Sequence, residues 1–149
     1  MTDHSHLPTR APHRNHETAE FWDACAAGRL VVPRCDECGD LFWYPRLVCP
    51  ICGSPAVTYT TVSGRGTVYA RTVMRRGDGP FRGVAPYVLA MVQLEEGPTM
   101  MTNIVGADPE SVVVGQAVHV VFDPVPDSDD AIPRFAPAAF EADARPAVR

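Results

Sequence analysis

The stretch from Cys35 to Gly53, CDECGDLFWYPRLVCPICG, places four of the chain's five cysteines in two C-x-x-C-G repeats. A C-x-x-C turn brings two sulfurs within reach of one ion, and the glycine after it allows a positive φ, at which backbone N–H groups point toward sulfur. Two such knuckles, ten residues apart, can supply four thiolates to a tetrahedral Zn²⁺. We therefore predict a zinc site whose ligands are Cys35, Cys38, Cys49 and Cys52.

A site with four thiolate ligands is coordinatively closed, so it leaves no position for a substrate or a catalytic water. Its predicted role is structural, with metal binding coupled to folding. Two alternatives for the cysteines are a pair of redox-active dithiols and thiols that are simply buried. Iron in place of zinc is a third, because Cys-Pro-Ile-Cys-Gly at residues 49–53 resembles a rubredoxin knuckle.

The composition of the 149-residue chain excludes several classes of function. No lysine occurs, which rules out a Walker-type phosphate loop, a lysine Schiff base and a Ser-Lys dyad. The net charge of −5 opposes general nucleic-acid binding, because phosphate neutralisation supplies most of the non-specific affinity.

The first twenty residues lack the apolar core of a signal peptide, and the longest apolar run, 84–94, is too short to span a bilayer. We expect a cytoplasmic protein with reduced thiols and no membrane span.

The hydrophobic pattern predicts one helix and then a mainly β chain. Residues 15–27 predict the helix, since Phe21 and Cys25 share a face at i, i+4 and Gly28 can end it. On that face Cys25 is expected to be a small core residue, not a nucleophile. Five β-branched or aromatic runs separated by glycine-rich turns then predict a small antiparallel barrel. These runs are Val57–Val62, Thr67–Met74, Tyr87–Leu94, Met100–Val105 and Val118–Phe122.

Three positions in the predicted barrel carry specific expectations. The strand at Tyr87–Leu94 is apolar at nearly every position, so we expect both of its faces to be covered. Gly64 and Gly66 are expected at a tight corner or bulge that needs a positive φ. His119 alternates with two valines and is interpreted as a residue of the barrel wall, not as a catalytic base.

A series of short motifs between residues 18 and 137 resembles one known family. The motifs are Glu20-Phe21-Trp22, Gly28-Arg29-Leu30, the two C-x-x-C-G knuckles, Tyr44-Pro45-Arg46, Ser63-Gly64-Arg65-Gly66-Thr67-Val68-Tyr69, Pro86-Tyr87-Val88-Leu89-Ala90, Leu94-Glu95-Glu96-Gly97, Asn103-Ile104-Val105-Gly106, Gly115-Gln116 and Phe135-Ala136-Pro137. As an ordered set they resemble the acyl-CoA-associated family that joins a rubredoxin-like zinc ribbon to an OB-fold, long described as a domain of unknown function.

The resemblance implies both an architecture and a function. The architecture is an N-terminal helix at 15–29, a zinc ribbon at 30–56 and a five-stranded OB-fold barrel at 57–137. Outside the matched motifs, the polar and proline-rich composition predicts a disordered leader at 1–14 and a C-terminal tail at 138–149. The function is that of a non-catalytic accessory subunit that binds acyl-CoA. Its implied partner is a thiolase-like, hydratase or aldolase enzyme of lipid, sterol or polyketide metabolism. In the leader, a metal-binding tract of His4, His6 and His13 is the alternative to disorder.

Positive charge is concentrated where such a protein would meet the phosphates of coenzyme A. Residues 63–83 contain five arginines and one aspartate, a local charge of +4. Planar guanidinium groups suit phosphate, so we predict that Arg75, Arg76 and Arg82, here called the basic loop, bind the phosphates of CoA. A solvated loop, or one that docks on an acidic partner, is the alternative.

Two other functions compete with the accessory-subunit hypothesis. OB-folds bind single-stranded nucleic acids, and this alternative requires a basic groove with exposed aromatic side chains. An electron carrier with iron in the cysteine site would be coloured when purified, so a visible absorption spectrum distinguishes it.

Overall fold

The computed structural model describes residues 7–139, which form one α-helix, seven β-strands and a short 3₁₀-helix. In chain order these are α1 (Ala19–Ala26), β1 (Val31–Cys35), β2 (Val57–Thr61), β3 (Arg65–Met74), the 3₁₀-helix (Gly79–Phe81), β4 (Tyr87–Leu94), β5 (Thr99–Ile104), β6 (Ala117–Pro124) and β7 (Ala131–Pro137).

Helix α1 is shorter at its start than the sequence predicted. Asn15 and Thr18 form a hydrogen-bonded turn, in which the Thr18 N–H donates to the Asn15 side-chain oxygen over 2.9 Å, so the helix begins only at Ala19. Its end is as predicted. Gly28 has a φ of +71°, and its N–H donates to the Cys25 carbonyl over 3.0 Å, closing the last turn. The buried face of the helix carries Phe21 and Cys25.

The first two strands form a separate two-stranded sheet. β1 and β2 pair antiparallel, from Val31 opposite Thr61 to Cys35 opposite Val57. The prediction that Val57–Val62 is a barrel strand is therefore wrong. β1 leads into the first cysteine knuckle and β2 leaves the second, so their pairing ties together the two ends of the ribbon.

The other five strands close into a barrel in the order β3-β4-β5-β7-β6. All neighbours pair antiparallel except β5 and β7, which run parallel and share one register pair, Ile104 with Phe135. This confirms the five-stranded OB-fold barrel, although one of its pairings is parallel. The fifth strand is β7, which the sequence pattern missed because Pro133 and Pro137 make it look irregular.

The core of the barrel is built from one face of each strand. On β4 the inward residues alternate with outward ones that are only half-buried, such as Leu89 and Met91. The prediction that both faces of this strand are covered therefore holds fully for the inner face and in part for the outer face, where only Gln93 is exposed. Fully or nearly buried side chains in the main core include Val68, Val88, Ala90, Val92, Leu94, Met100, Ile104, Val118 and Phe135.

The two glycines before and within β3 are needed for different reasons. Gly64 has a φ of +75°, as expected for a corner. Gly66 has no positive φ, but a Cβ there would lie 2.6 Å from the Gln93 carbonyl oxygen on β4. Close approach of two backbones, not an unusual φ, therefore requires Gly66.

Residues 7–14, which we expected to belong to a disordered leader, lie against the barrel and are called the N-terminal strap. Leu7 is buried, and the Leu7 and Pro8 carbonyls accept hydrogen bonds from Arg134 over 3.1 and 2.7 Å. Further along the strap, Arg14 forms ion pairs with Asp23 on α1 and Asp130 between β6 and β7. The buried guanidinium of Arg134 thus anchors the strap. His4 and His6, and the predicted tail beyond residue 139, lie outside the described residues.

Candidate functional site

The two cysteine knuckles have matching backbone geometry. Gly39 and Gly53 have φ values of +79° and +78°, and their N–H groups donate to the carbonyls of Cys35 and Cys49 over 2.9 and 3.0 Å. The N–H of Ile51 also points at the Cys49 sulfur, over 3.4 Å. The glycines therefore close each turn as the sequence predicted, and backbone dipoles face the sulfurs.

The knuckles bring all four predicted ligands together. The sulfurs of Cys35, Cys38, Cys49 and Cys52 all lie within 4.8 Å of one another. Two of the separations are 3.6 Å (Cys35 to Cys52) and 3.8 Å (Cys38 to Cys49). Zinc–sulfur bonds of about 2.3 Å at tetrahedral angles put neighbouring sulfurs about 3.8 Å apart. The four thiols therefore fit a structural zinc ion.

The surroundings of the cysteines support metal binding. The backbone N–H groups of Cys38 and Glu37 hydrogen-bond the Cys35 sulfur, as is usual around a thiolate ligand of a metal. Phe42 and half-buried Val57 pack around the two buried ligands, Cys35 and Cys49. This small apolar cluster shields one side of the site.

Cys25 takes no part in this cluster. Its side chain is completely buried in the main core, and that burial raises the pKa of the thiol to about 12. The thiolate is the reactive form, so Cys25 is the inert core residue that the sequence predicted.

His119 lies on β6, half-buried and opposite Ala136 of β7, within the barrel wall as expected.

The arginines of the basic loop are exposed and engage different carboxylates. Arg75 follows β3 and pairs with Glu110 over 2.6 Å, and Arg82 lies 4.0 Å from Asp78 within its own loop. Exposed pairs of this kind contribute little to stability, about 0–1 kcal/mol. They leave the guanidinium groups free to exchange partners, so the prediction that the basic loop binds CoA phosphates stays a prediction.

A second feature, which the sequence analysis did not find, is a cleft of about 350 Å³ between the ribbon, α1 and the barrel. A connected chain of four aromatic rings forms one wall. Centroid separations are 4.8 Å from Trp22 to Phe21, 4.9 Å from Phe21 to Trp43 and 5.4 Å from Trp43 to Tyr44. The pattern of the helix placed Phe21 on its buried face, and nothing local in the sequence relates Phe21 or Trp22 to Trp43, so the shared wall was missed.

The opposite wall of this aromatic cleft comes from the barrel. Leu89 on β4, Met101 on β5, and Ile132 and Pro133 on β7 contribute to it. Ile132 and Pro133 come shortly before Phe135, the residue of β7 that is opposite Ile104 of β5, so this wall lies near the one parallel pairing of the barrel.

The polar groups of the aromatic cleft are few. Thr102 and Asn103 line it, and so does Arg134, whose guanidinium pairs with Asp123 over 2.7 Å. The indole N–H of Trp22 is buried and has no hydrogen-bond partner within the part of the chain that the structure describes. The cleft is thus apolar and nearly neutral.

Two protein-family descriptions match this chain, one over the zinc ribbon and one over the barrel. Residues 22–58 match the family described as "ChsH2, rubredoxin-like zinc ribbon domain", and residues 59–123 match "ChsH2, C-terminal OB-fold domain". A "DUF35 domain-containing scaffold protein" of Methanothermobacter thermautotrophicus is 35% identical over 94 residues, which cover 62% of this chain and 71% of that protein. The chain belongs to the DUF35 family.

Two further DUF35 relatives are named as parts of enzymes. The "3-oxo-4,17-pregnadiene-20-carboxyl-CoA hydratase alpha subunit" of Mycobacterium tuberculosis is 36% identical over 116 residues, covering 78% of this chain but only 37% of that protein. A solved structure, "Ltp2-ChsH2(DUF35) aldolase", is 34% identical with a TM-score of 0.77, and the match covers 86% of this chain and 99% of that chain. The family assignment confirms the predicted ribbon and OB-fold, and with the four clustered thiols it supports zinc as the metal.

No helix within residues 7–139 is long and apolar enough to cross a membrane.

Proposed function

We propose that this DUF35 protein is a non-catalytic accessory subunit of a thiolase-like, hydratase or aldolase enzyme that acts on acyl-CoA. Its relatives carry the names of a scaffold protein, a hydratase subunit and an aldolase complex, which supports a role beside an enzyme. A cytoplasmic location and a place in lipid, sterol or polyketide metabolism are parts of the same proposal.

The observation that carries the proposal is an apolar surface at the second cysteine knuckle. Leu47, Val48 and Ile51, here called the ribbon patch, are 50%, 48% and 61% exposed. They surround buried Cys49, so a rigid metal site would hold them in place. Clustered exposed aliphatic side chains on a rigid support are typical of a protein-docking surface.

A catalytic role has little support in the described part of the chain. The four clustered thiols between residues 35 and 52 form a closed site, and the remaining cysteine, Cys25, is buried and protonated. A metal ion held by all four thiolates would have no open position at which to activate water. Chemistry on an acyl-CoA would have to come from the partner.

The nucleic-acid alternative is disfavoured by the outer face of the barrel. OB-folds bind strands across the second and third barrel strands, here β4 and β5. Those strands, YVLAMVQL and TMMTNI, contain no basic residue, and their outward side chains include Leu89, Met91 and Met101. An apolar face without positive charge does not follow a phosphate backbone.

The test of the proposal is complex formation by charge variants of the ribbon patch. Ile51→Glu places a charge on the most exposed residue of the patch. We expect this variant to weaken binding to the enzyme that co-purifies from the source organism by about tenfold or more. Val114→Glu is the matched control, because Val114 is 63% exposed but lies between β5 and β6, outside the ribbon. If calorimetry gives the two variants equal affinities for the enzyme, the ribbon patch is not the docking surface and the proposal loses its main support.

A further inference from the structure

We infer that the N-terminal strap acts as a latch for the basic loop: Leu7 holds the loop against the barrel, and release of the strap lets the loop open. Cleavage or displacement of the strap would thereby alter the surface that presents the three arginines. The latch itself does not depend on which ligand or partner meets the basic loop. Only its consequence for CoA, which is tested last, rests on the proposed function.

The strap, the loop and the barrel share a small apolar cluster that is separate from the main core. Three of its members are buried and the others pack against them: Leu7, Val105 and Ala136, with Phe81, Val84 and Tyr87. Leu7 is only 5% exposed and comes from the strap, while Phe81 and Val84 lie in the segment between β3 and β4 that carries the basic loop. Loss of Leu7 from the cluster would therefore remove apolar contacts on which the loop depends.

The other contacts of the loop segment, residues 75–86, do little to attach it to the barrel. The N–H groups of Phe81, Arg82 and Val84 each donate to the carbonyl three residues earlier, over 3.0, 3.1 and 3.3 Å. These bonds shape the turn but are internal to it. The ion pairs of the loop arginines are exposed and contribute little to stability. We therefore assign the attachment of the segment mainly to the apolar cluster.

Phe81 connects this cluster to the arginines. It is the last residue of the 3₁₀-helix and directly precedes Arg82. A Cβ at Gly77 would lie 2.1 Å from the Phe81 carbonyl oxygen, so the backbone next to Arg76 is in close contact with Phe81. A displacement of Phe81 would therefore shift both Arg76 and Arg82.

The strap is anchored at one end and accessible at the other. The carbonyls of Leu7 and Pro8 accept hydrogen bonds from the buried guanidinium of Arg134, which fixes the position of Leu7. Arg10 and Ala11, only a few residues further along, are exposed. A protease or a binding partner can therefore reach the strap beside its anchor, as a releasable latch requires.

Hydrogen exchange of the loop segment tests the latch directly. Its three hydrogen-bonded amides, at Phe81, Arg82 and Val84, exchange only when the turn opens. Leu7→Ala, made in the full chain, should speed their exchange by about tenfold or more, because it empties a buried position in the cluster. Leu7→Met, which nearly preserves the volume, should keep the rate within about threefold. Unchanged exchange in Leu7→Ala would overturn the inference.

Val112→Ala distinguishes a local latch from a general loss of stability. Val112 is completely buried in the main core, in the connection between β5 and β6, and is not a member of the small cluster. This variant should lower the stability of the whole barrel but leave exchange of the loop amides within about twofold. Equal acceleration by Leu7→Ala and Val112→Ala would show that the loop opens only when the barrel unfolds, and would refute the latch.

The coupling must also act in the opposite direction, from the loop to the strap. Phe81→Ala should speed trypsin cleavage after Arg10 by about threefold or more, because the protease cuts the chain while the strap is released. The mass of the 1–10 fragment separates this cut from cuts within the loop. Tyr69→Ala is the control, since Tyr69 is a 65% exposed aromatic residue of β3 outside the cluster. Equal cleavage rates in the two variants would contradict the coupling.

CoA binding separates the latch from the proposed function. Leu7→Ala keeps all three arginines, yet it should weaken CoA binding by about three- to tenfold, because a loop that opens must be ordered again on binding. If the unaltered protein does not bind CoA, the phosphate-binding part of the proposed function fails, and the exchange result still decides the latch. If CoA binds and Leu7→Ala changes neither exchange nor affinity, the latch fails and CoA binding stands. Faster exchange with unchanged CoA affinity would overturn the link between the latch and CoA.

Discussion

Replacing Arg134 with methionine tests whether the buried ion pair anchors the N-terminal strap. The side chains of Arg134 and Asp123 are only 4% and 6% exposed, and the Arg134 guanidinium also donates hydrogen bonds to two carbonyls of the strap. Removing one partner leaves a buried carboxylate without its counter-charge, which typically costs about 3–5 kcal/mol. The Leu7 and Pro8 carbonyls lose their donor in the same variant, so we expect a value at the upper end of that range.

The expected loss is large enough to measure in two ways. For a protein of this size, 3–5 kcal/mol lowers the thermal midpoint by about 6–20 °C, and urea titration should give the same change in unfolding free energy. Arg14→Met is the matched control, because Arg14 is partly exposed and its ion pairs are expected to contribute no more than about 1 kcal/mol each. The double variant with Asp123→Leu should recover much of the stability, since it removes both members of the buried ion pair. A loss for Arg134→Met no greater than that for Arg14→Met would refute this account of the strap.

Three further predictions concern the metal, the barrel and the basic loop. Cys49→Ser should lose zinc and cooperative folding of the ribbon, whereas Cys25→Ser should keep one zinc per chain, as measured by elemental analysis. Unaltered protein that is folded but contains neither zinc nor iron would contradict the metal site. Gly66→Ala should lower the free energy of unfolding of the barrel by about 1–3 kcal/mol, measured by urea titration, because the new Cβ would clash with the β4 backbone. An unchanged free energy of unfolding would show that β3 can shift to relieve the clash. Alanine at all three arginines of the basic loop should weaken CoA binding by about tenfold or more, in a salt-dependent manner. Unchanged CoA affinity by calorimetry would leave the loop as a solvated surface.

The ribbon was predictable because its information is local. The C-x-x-C-G repeats specify the turns, the glycine conformations and the ligands within 19 residues, and the structure reproduces each of these. The end of α1 was predictable for the same reason, since one glycine determines it. Where the signal was local, the sequence analysis and the structure agree.

The strand assignments failed where the choice of partner decides the outcome. Val57–Thr61 has the composition of a barrel strand, but it pairs instead with β1, which lies at the other end of the ribbon in the sequence. β7 contains two prolines within seven residues, so its pattern did not suggest a strand, although β6 pairs with all seven positions. Pairing across the chain overrides local propensity in both cases.

The aromatic cleft could not be predicted, because its walls come from five separate parts of the sequence. Phe21 and Trp22 belong to α1, Trp43 and Tyr44 to the ribbon, and the remaining wall to β4, β5 and β7. Each part alone has the pattern of an ordinary core or loop. Only the tertiary fold brings them together.

The most direct test of the central claim is turnover of an acyl-CoA substrate by three samples measured side by side. These are the purified chain, the enzyme that co-purifies with it, and the reconstituted complex. A non-catalytic accessory subunit predicts no turnover by the chain alone and higher turnover by the complex than by the enzyme alone. Turnover by the purified chain that persists after removal of trace enzyme would contradict the claim.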